Sequence, residues 1–198
     1  YEIHERLVGS EMCIRDRHVI MTKNATNFIN PIAFETLTNN KCLVDTFDRN
    51  FQFQVEHVSI AKKADVVMIA PASANVIGKL AHGIADDMLT TTVIACKCKK
   101  IISPAMNTNM FENPIVQDNI KKLEPYGFHI IDPASGYLAC GDTGAGKMPE
   151  PETLFSYIMK DFEQNKKNAG KKRVHLGNCY REFSRQISEV LLRGKVVK

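Results

Sequence analysis

No apolar run in this chain approaches the ~18 residues a helix needs to cross a bilayer, so no membrane span is expected. The first residues lack a basic segment followed by an apolar one, the pattern of a secretory signal. Six cysteines (Cys13, Cys42, Cys96, Cys98, Cys140 and Cys179) in 198 residues read as free thiols of a reducing compartment, and a cytoplasmic location is expected. Cys96-Lys97-Cys98 has a one-residue gap and no second ligand pair nearby, so no metal site is expected. The body of the chain also lacks positive charge. Residues 160–198 hold 11 Lys/Arg against 4 Asp/Glu, which leaves 15 against 18 elsewhere out of totals of 26 and 22. A basic face with readout residues is missing, and nucleic acid is not an expected partner.

What is present is one α/β domain's worth of chain, enough for a sizeable core. Residues 18–22 read as a short strand and 24–39 as helical turns interrupted at Pro31. A helix carrying His57 is expected over 55–63, and a buried strand over 66–70. Residues 73–95 read as two helical pieces broken around Gly83, followed by a strand at Ile101 and Ile102. Asn113-Pro114 starts a helix, cap first and proline second, with Ile115, Val116, Ile120 and Leu123 on one face and a stop near Gly127. A strand at 128–131 and a helix at 151–162 complete the alternation. That pattern predicts an α/β fold with a doubly wound parallel sheet.

Three loops carry the chemistry. Pro71-Ala72-Ser73-Ala74-Asn75 and Pro104-Ala105-Met106-Asn107-Thr108-Asn109-Met110 each follow an apolar strand, the place where open α/β sheets bind ligands. Ser73 and Asn75 are good helix-capping types, and the N–H groups of a helix start suit a phosphate. The third loop is Gly136-Tyr137-Leu138-Ala139-Cys140-Gly141-Asp142-Thr143-Gly144-Ala145-Gly146-Lys147-Met148. Glycines at this density let a backbone fold closely over a ligand, with Cys140 placed to meet a substrate. A glycine-rich surface loop with an incidental cysteine is the plainer alternative.

These loops and His57, in this order and spacing from about residue 18 to 162, resemble the homo-oligomeric flavin-containing cysteine decarboxylases, specifically the phosphopantothenoylcysteine decarboxylases. The resemblance implies a Rossmann-like flavoprotein fold, an FMN cofactor and 4′-phospho-N-pantothenoylcysteine as substrate. It implies that the substrate thiol is oxidised with flavin as electron acceptor, that the thioaldehyde then loses CO2, and that reduction and protonation of the ene-thiolate give 4′-phosphopantetheine. Cys140 would be the proton donor of that last step, Asn107 would bind the substrate carboxylate, and His57 would be the base for thiol oxidation. Thr22, Lys23, Asn24, Ser73, Ala74, Asn75, Val76 and Ala105 fall where the family contacts FMN. Val76 replaces the threonine common there. Tyr137, Leu138 and Ala139 would grip the pantothenoyl amides, and Met110 and Met148 would cover the ligand or pack in the core. A homotrimer or a multiple of one is implied, with the site built between subunits.

Both ends depart from the family. Relatives begin with a strand and a glycine-rich turn for the flavin phosphate. Here residues 1–17 stand in that place, with Glu11-Met12-Cys13-Ile14-Arg15-Asp16-Arg17 resembling translated sequencing adapter. The expected organisation is therefore a non-native segment 1–17, with the first strand missing or replaced, and a decarboxylase domain 18–163. Residues 164–198 then form a basic linker and an aberrant or truncated start of a ligase domain like that of bifunctional relatives. A peptidyl-cysteine decarboxylase and a non-catalytic FMN-fold regulatory protein are the alternatives. The first is disfavoured by the flap sequence and the second by the presence of His57, Asn107 and Cys140 together.

Overall fold

The computed structural model describes residues 17–46, 56–137 and 143–169, and the chain divides into two compact units, Tyr1–Val44 with Pro151–Lys198, and Asp45–Glu150. In chain order the elements are α1 (Pro31–Thr38), α2 (Glu56–Lys63), β1 (Val66–Ala72), α3 (Ala74–Ala81), α4 (Met88–Ala95), β2 (Lys99–Pro104), α5 (Thr108–Glu112), α6 (Pro114–Leu123), β3 (Phe128–Ile130), β4 (Ala134–Tyr137), β5 (Thr143–Lys147) and α7 (Pro151–Ala169).

The first unit holds α1 and α7. Helix α1 starts where Asn30 accepts the Ile32 amide at 3.1 Å, with Pro31 supplying the fixed φ of a first helical residue. It ends at Asn39, which takes the left-handed conformation at φ 52°. The expected strand at 18–22 is reduced to one parallel bridge, Ile20 to Leu43, closed by Met21 N–H to Leu43 O and Leu43 N–H to Val19 O. The pairing stops there because the partner segment offers only Cys42 and Leu43 as buried residues before the chain turns at Thr46.

The second unit is built on a parallel sheet in the order β1-β2-β3. Neighbouring residues of a strand face opposite sides, and Ile101 and Ile102 are both fully buried. Strand β2 is therefore covered on both faces, as a parallel sheet wrapped by helices requires. Ile102 shares one cluster with Ile69 and Ala72 of β1, Val76, Ile77 and Leu80 of α3, and Ile120 and Leu123 of α6. Each such aliphatic side chain stabilises the fold by ~1.5–3 kcal/mol through burial. Helix α3 packs on α6, and α2 on α4. The break expected near Gly83 is real: α3 ends before it, and α4 restarts at Asp87, which accepts the Thr90 amide at 2.8 Å. The flap stretch forms an antiparallel pair, with Gly136 opposite Gly144 and Tyr137 opposite Thr143. No helix among the described residues is long and apolar enough to cross a membrane.

Candidate active site

Strands β1 and β2 lie side by side and end level with each other, Ala72 opposite Pro104. Their following loops are thus neighbours, and the Ala105 amide donates to the Ala72 carbonyl at 3.0 Å to tie them together. At the first loop Ser73 caps α3, its hydroxyl accepting the Val76 amide at 3.4 Å. Helix geometry gives the Ala74 and Asn75 amides no carbonyl one turn back, so these donors remain for an outside acceptor. Ser73 and Asn75 are exposed and Ala74 is half-buried. Small side chains, two helix-start amides and neutral polar groups are a donor set that fits the phosphate or ring edge of a flavin mononucleotide. Val76 differs from its neighbours: its side chain is buried in the core cluster and packs rather than projects.

At the second loop Ala105 and Asn107 are half-buried. Asn107 caps α5, its side-chain oxygen accepting the Asn109 amide at 2.9 Å and its carbonyl the Phe111 amide at 2.9 Å. The Phe111 carbonyl accepts in turn from Gln117 of α6 at 2.6 Å, so the short helix is fastened at both ends. Met110 is exposed and Met148 half-buried. Strand β5 lies against this loop, and the Met106 amide donates to the Gly146 carbonyl at 3.0 Å. Met106, Asn107 and Thr108 are therefore clamped between β1 and the hairpin. Five-residue α5 and this clamp were invisible to periodicity, although the alternating Gly144 and Gly146 were a signal of a close backbone approach.

His57 is half-buried in the first turn of α2, on the same unit as Asn107 and Ser73. Thr22, Lys23 and Asn24 belong to the first unit, just before a 3-10 turn at Ala25–Asn27. The Thr22 hydroxyl accepts the Ala25 amide at 3.2 Å, and Lys23 and Asn24 are exposed. Tyr137 ends β4, and its backbone pairs with Thr143. Leu138, Ala139 and Cys140 lie outside the described residues.

Charge is concentrated where α3 meets α4. Lys79 contacts Asp86 at 2.7 Å and Asp87 at 3.1 Å. The hydrogen bond to Asp86 raises the Lys79 ammonium above its ordinary range, burial opposing it and Asp87 adding to it. Burial would raise the Asp87 carboxyl, but the Thr90 amide and Lys79 together hold it below the usual carboxylate range. Two other groups are pushed the other way. Burial, with Glu35 nearby, raises the Cys42 thiol to about 11, and burial, with Cys98 nearby, raises Cys96 to about 11.

The chain matches the family described as Flavoprotein over residues 10–163. It is 44% identical over 146 residues to the Coenzyme A biosynthesis bifunctional protein CoaBC of Bacillus subtilis, covering 74% of this chain and 36% of that protein. It is 39% identical over 143 residues to the Probable phosphopantothenoylcysteine decarboxylase of Streptococcus mutans, covering 71% of this chain and 80% of that one. The chain thus spans about a third of the length of the bifunctional relatives it matches. Among solved structures it resembles a PPC decarboxylase mutant complexed with pantothenoylaminoethenethiol, with TM-score 0.64 and 29% identity over 74% of this chain and 82% of that one. It also resembles the FMN-dependent cysteine decarboxylase SpaF, with TM-score 0.56 and 36% identity over 65% of this chain and 70% of that one.

Proposed function

This chain belongs to the flavoprotein family, and from that premise we propose that it binds FMN and decarboxylates 4′-phospho-N-pantothenoylcysteine to 4′-phosphopantetheine in coenzyme A biosynthesis. The observation that carries the reading is the pairing of two loops at adjacent strand ends. One presents helix-start amides at Ser73, Ala74 and Asn75, and the other presents Asn107, with the Ala105-to-Ala72 hydrogen bond between them.

FMN, when bound, supplies the electron sink that makes loss of CO2 from a cysteine-derived amide accessible and leaves no net oxidant consumed. The protein's part is positioning and proton handling. The Asn107 amide holds the substrate carboxylate and orients it for departure. His57 takes the proton from the substrate thiol, and the Cys140 thiol gives a proton to the carbon that lost CO2. Ser73, Ala74 and Asn75, with Thr22, Lys23, Asn24 and Ala105, hold the cofactor. Tyr137, Leu138 and Ala139 grip the pantothenoyl amides, and Met110 and Met148 cover them.

The decarboxylase domain spans residues 18–163 and works as a homotrimer or a multiple of one in the cytoplasm. Support for association comes from Phe28, 84% exposed, and Ile32, 62% exposed, four residues apart on the first unit. A peptide ending in cysteine is the rival substrate, and SpaF, an FMN-dependent cysteine decarboxylase, is similar to this chain.

The test is an absorbance spectrum of the purified chain, followed by substrate addition under nitrogen. Yellow protein, CO2 release from phosphopantothenoylcysteine but not from a cysteine-terminated peptide, and loss of product in Cys140→Ser are expected. A colourless protein that stays inactive with added FMN overturns the reading.

A further inference from the structure

The glycines of β5 have a partner within the protein. A Cβ on Gly144 would lie 2.5 Å from the Thr108 hydroxyl oxygen, 3.0 Å from its methyl and 3.2 Å from its Cβ. The Thr108 hydroxyl is itself buried with no hydrogen-bond partner among the described residues, and it fills the space a Gly144 side chain would take. Gly146 sits at φ +142°, and a Cβ there would strike the Met106 carbonyl. Its own carbonyl accepts the Met106 amide at 3.0 Å. Gly136 is the contrast: it faces Gly144 across the hairpin, yet among the described residues a Cβ on it would meet only the Lys147 Cδ, at an ordinary 3.8 Å.

We infer that Gly144, Gly146 and Thr108 are positioning residues for Asn107. The bare backbone of β5 and the unpaired Thr108 hydroxyl interlock on both flanks of Asn107, fixing its place in the sequence Met106-Asn107-Thr108. A hydroxyl is normally left unpaired in a protein interior only at a cost. Here it occupies the space that the missing side chain leaves. The interlock leaves the Asn107 amide little freedom to shift, which matters because a displacement of about 1 Å at a reacting group can lower rates about 100-fold. Gly146 tolerates no such exchange: its neighbour is backbone, and its φ disfavours any side chain.

The inference rests on the proposed decarboxylase reading for its kinetic arm and on amide exchange for its independent arm. The full chain is prepared as wild type, Gly136→Ala, Gly144→Ala, Thr108→Ala, Gly146→Ala and the double variants Gly144→Ala/Thr108→Ala and Gly146→Ala/Thr108→Ala. Amide hydrogen exchange over the peptide containing Met106 and Asn109, and kcat and KM for phosphopantothenoylcysteine with FMN, are measured on each. Gly136→Ala should match wild type in exchange over this peptide. Gly144→Ala should speed exchange at the Met106 segment and lower kcat about 100-fold with little change in KM. Gly144→Ala/Thr108→Ala should recover most of both losses, because it removes the two nearest obstacles to the new methyl, at 2.5 and 3.0 Å, and leaves the Thr108 Cβ at 3.2 Å. Gly146→Ala should be as damaging as Gly144→Ala and stay so in the Thr108→Ala background.

Gly144→Ala behaving like Gly136→Ala would overturn the inference. So would a Gly144→Ala/Thr108→Ala variant no better than Gly144→Ala while Thr108→Ala alone is active and folded. A wild type that binds FMN but does not decarboxylate overturns the functional reading instead. The exchange pattern then decides the interlock alone.

Discussion

Asn107 accepts the Asn109 amide on its side-chain oxygen at 2.9 Å, so the residue proposed to hold a substrate carboxylate is also the cap of α5. The two roles separate in Asn107→Asp. Aspartate caps a helix about as well as asparagine and suits its positive end, so the melting temperature should hold or rise slightly. A carboxylate facing the substrate's carboxylate repels it, and kcat/KM should fall about 100-fold or more, equivalent to about 2.7 kcal/mol of transition-state stabilisation. Thermal melts beside steady-state CO2 release check this. A variant with both stability and activity intact would remove Asn107 from the carboxylate site.

The junction of α3 and α4 should give the fold a two-sided pH dependence. Asp87 has a depressed pKa, so its contribution is present above the unfolded carboxylate pKa near 3.8 and is lost as pH falls through the lower folded value. Lys79 has a raised pKa, so its contribution is present below 10.5 and is lost as pH rises through the higher folded value. Asp87→Asn keeps the cap and deletes the charge. Because the Lys79 and Asp87 side chains keep 20% and 24% of their exposure, solvent screening limits the loss at neutral pH to about 1 kcal/mol. Urea unfolding of wild type and variant should differ most between these limits and converge at both extremes.

The helix starts were legible because they are local chemistry. Asn113-Pro114 states a cap and a first helical residue, and the helix begins there; Pro31, expected as an interruption of helical turns, instead opens α1 behind the same kind of cap, Asn30. The sheet was legible because Ile101 and Ile102 sit in a run with no polar alternation, which only a strand buried on both faces sustains. The start of α4 is equally local: Asp87 and Thr90 cap each other reciprocally, four residues beyond the break at Gly83. The glycines of the third loop were read as room for a ligand. For Gly144 and Gly146, the room is taken by Thr108 and Met106, a non-local fact that no spacing along the chain encodes.

Cysteine labelling offers a further check. Cys42 and Cys96 are buried thiols pushed up to about 11, so at about pH 8 the reactive thiolate form is a small fraction of each. Native protein treated with an aromatic disulfide reagent at that pH should leave both unmodified, and denaturant should release both. Modification of Cys96 in the native state, read by mass spectrometry, would mean that the end of α4 opens more readily than its burial implies.

Ser73 tests whether the start of α3 is a cofactor site or only a cap. Ser73→Ala removes the acceptor of the Val76 amide and should cost about 1 kcal/mol of stability. Ser73→Asp restores an acceptor and places negative charge at the positive helix end, so its melting temperature without cofactor should equal or exceed wild type. FMN affinity should rank in a different order. A carboxylate beside the Ala74 and Asn75 amides competes for them and repels a phosphate, so Ser73→Asp should bind FMN about 10- to 100-fold more weakly than wild type. Ser73→Ala should fall between the two. Flavin fluorescence titration beside melts of the cofactor-free protein gives both rankings. If affinity simply follows stability across the three proteins, Ser73 is a helix cap and the cofactor's phosphate sits elsewhere. If aspartate is the most stable and the weakest binder, the amides at the head of α3 are where the phosphate is held.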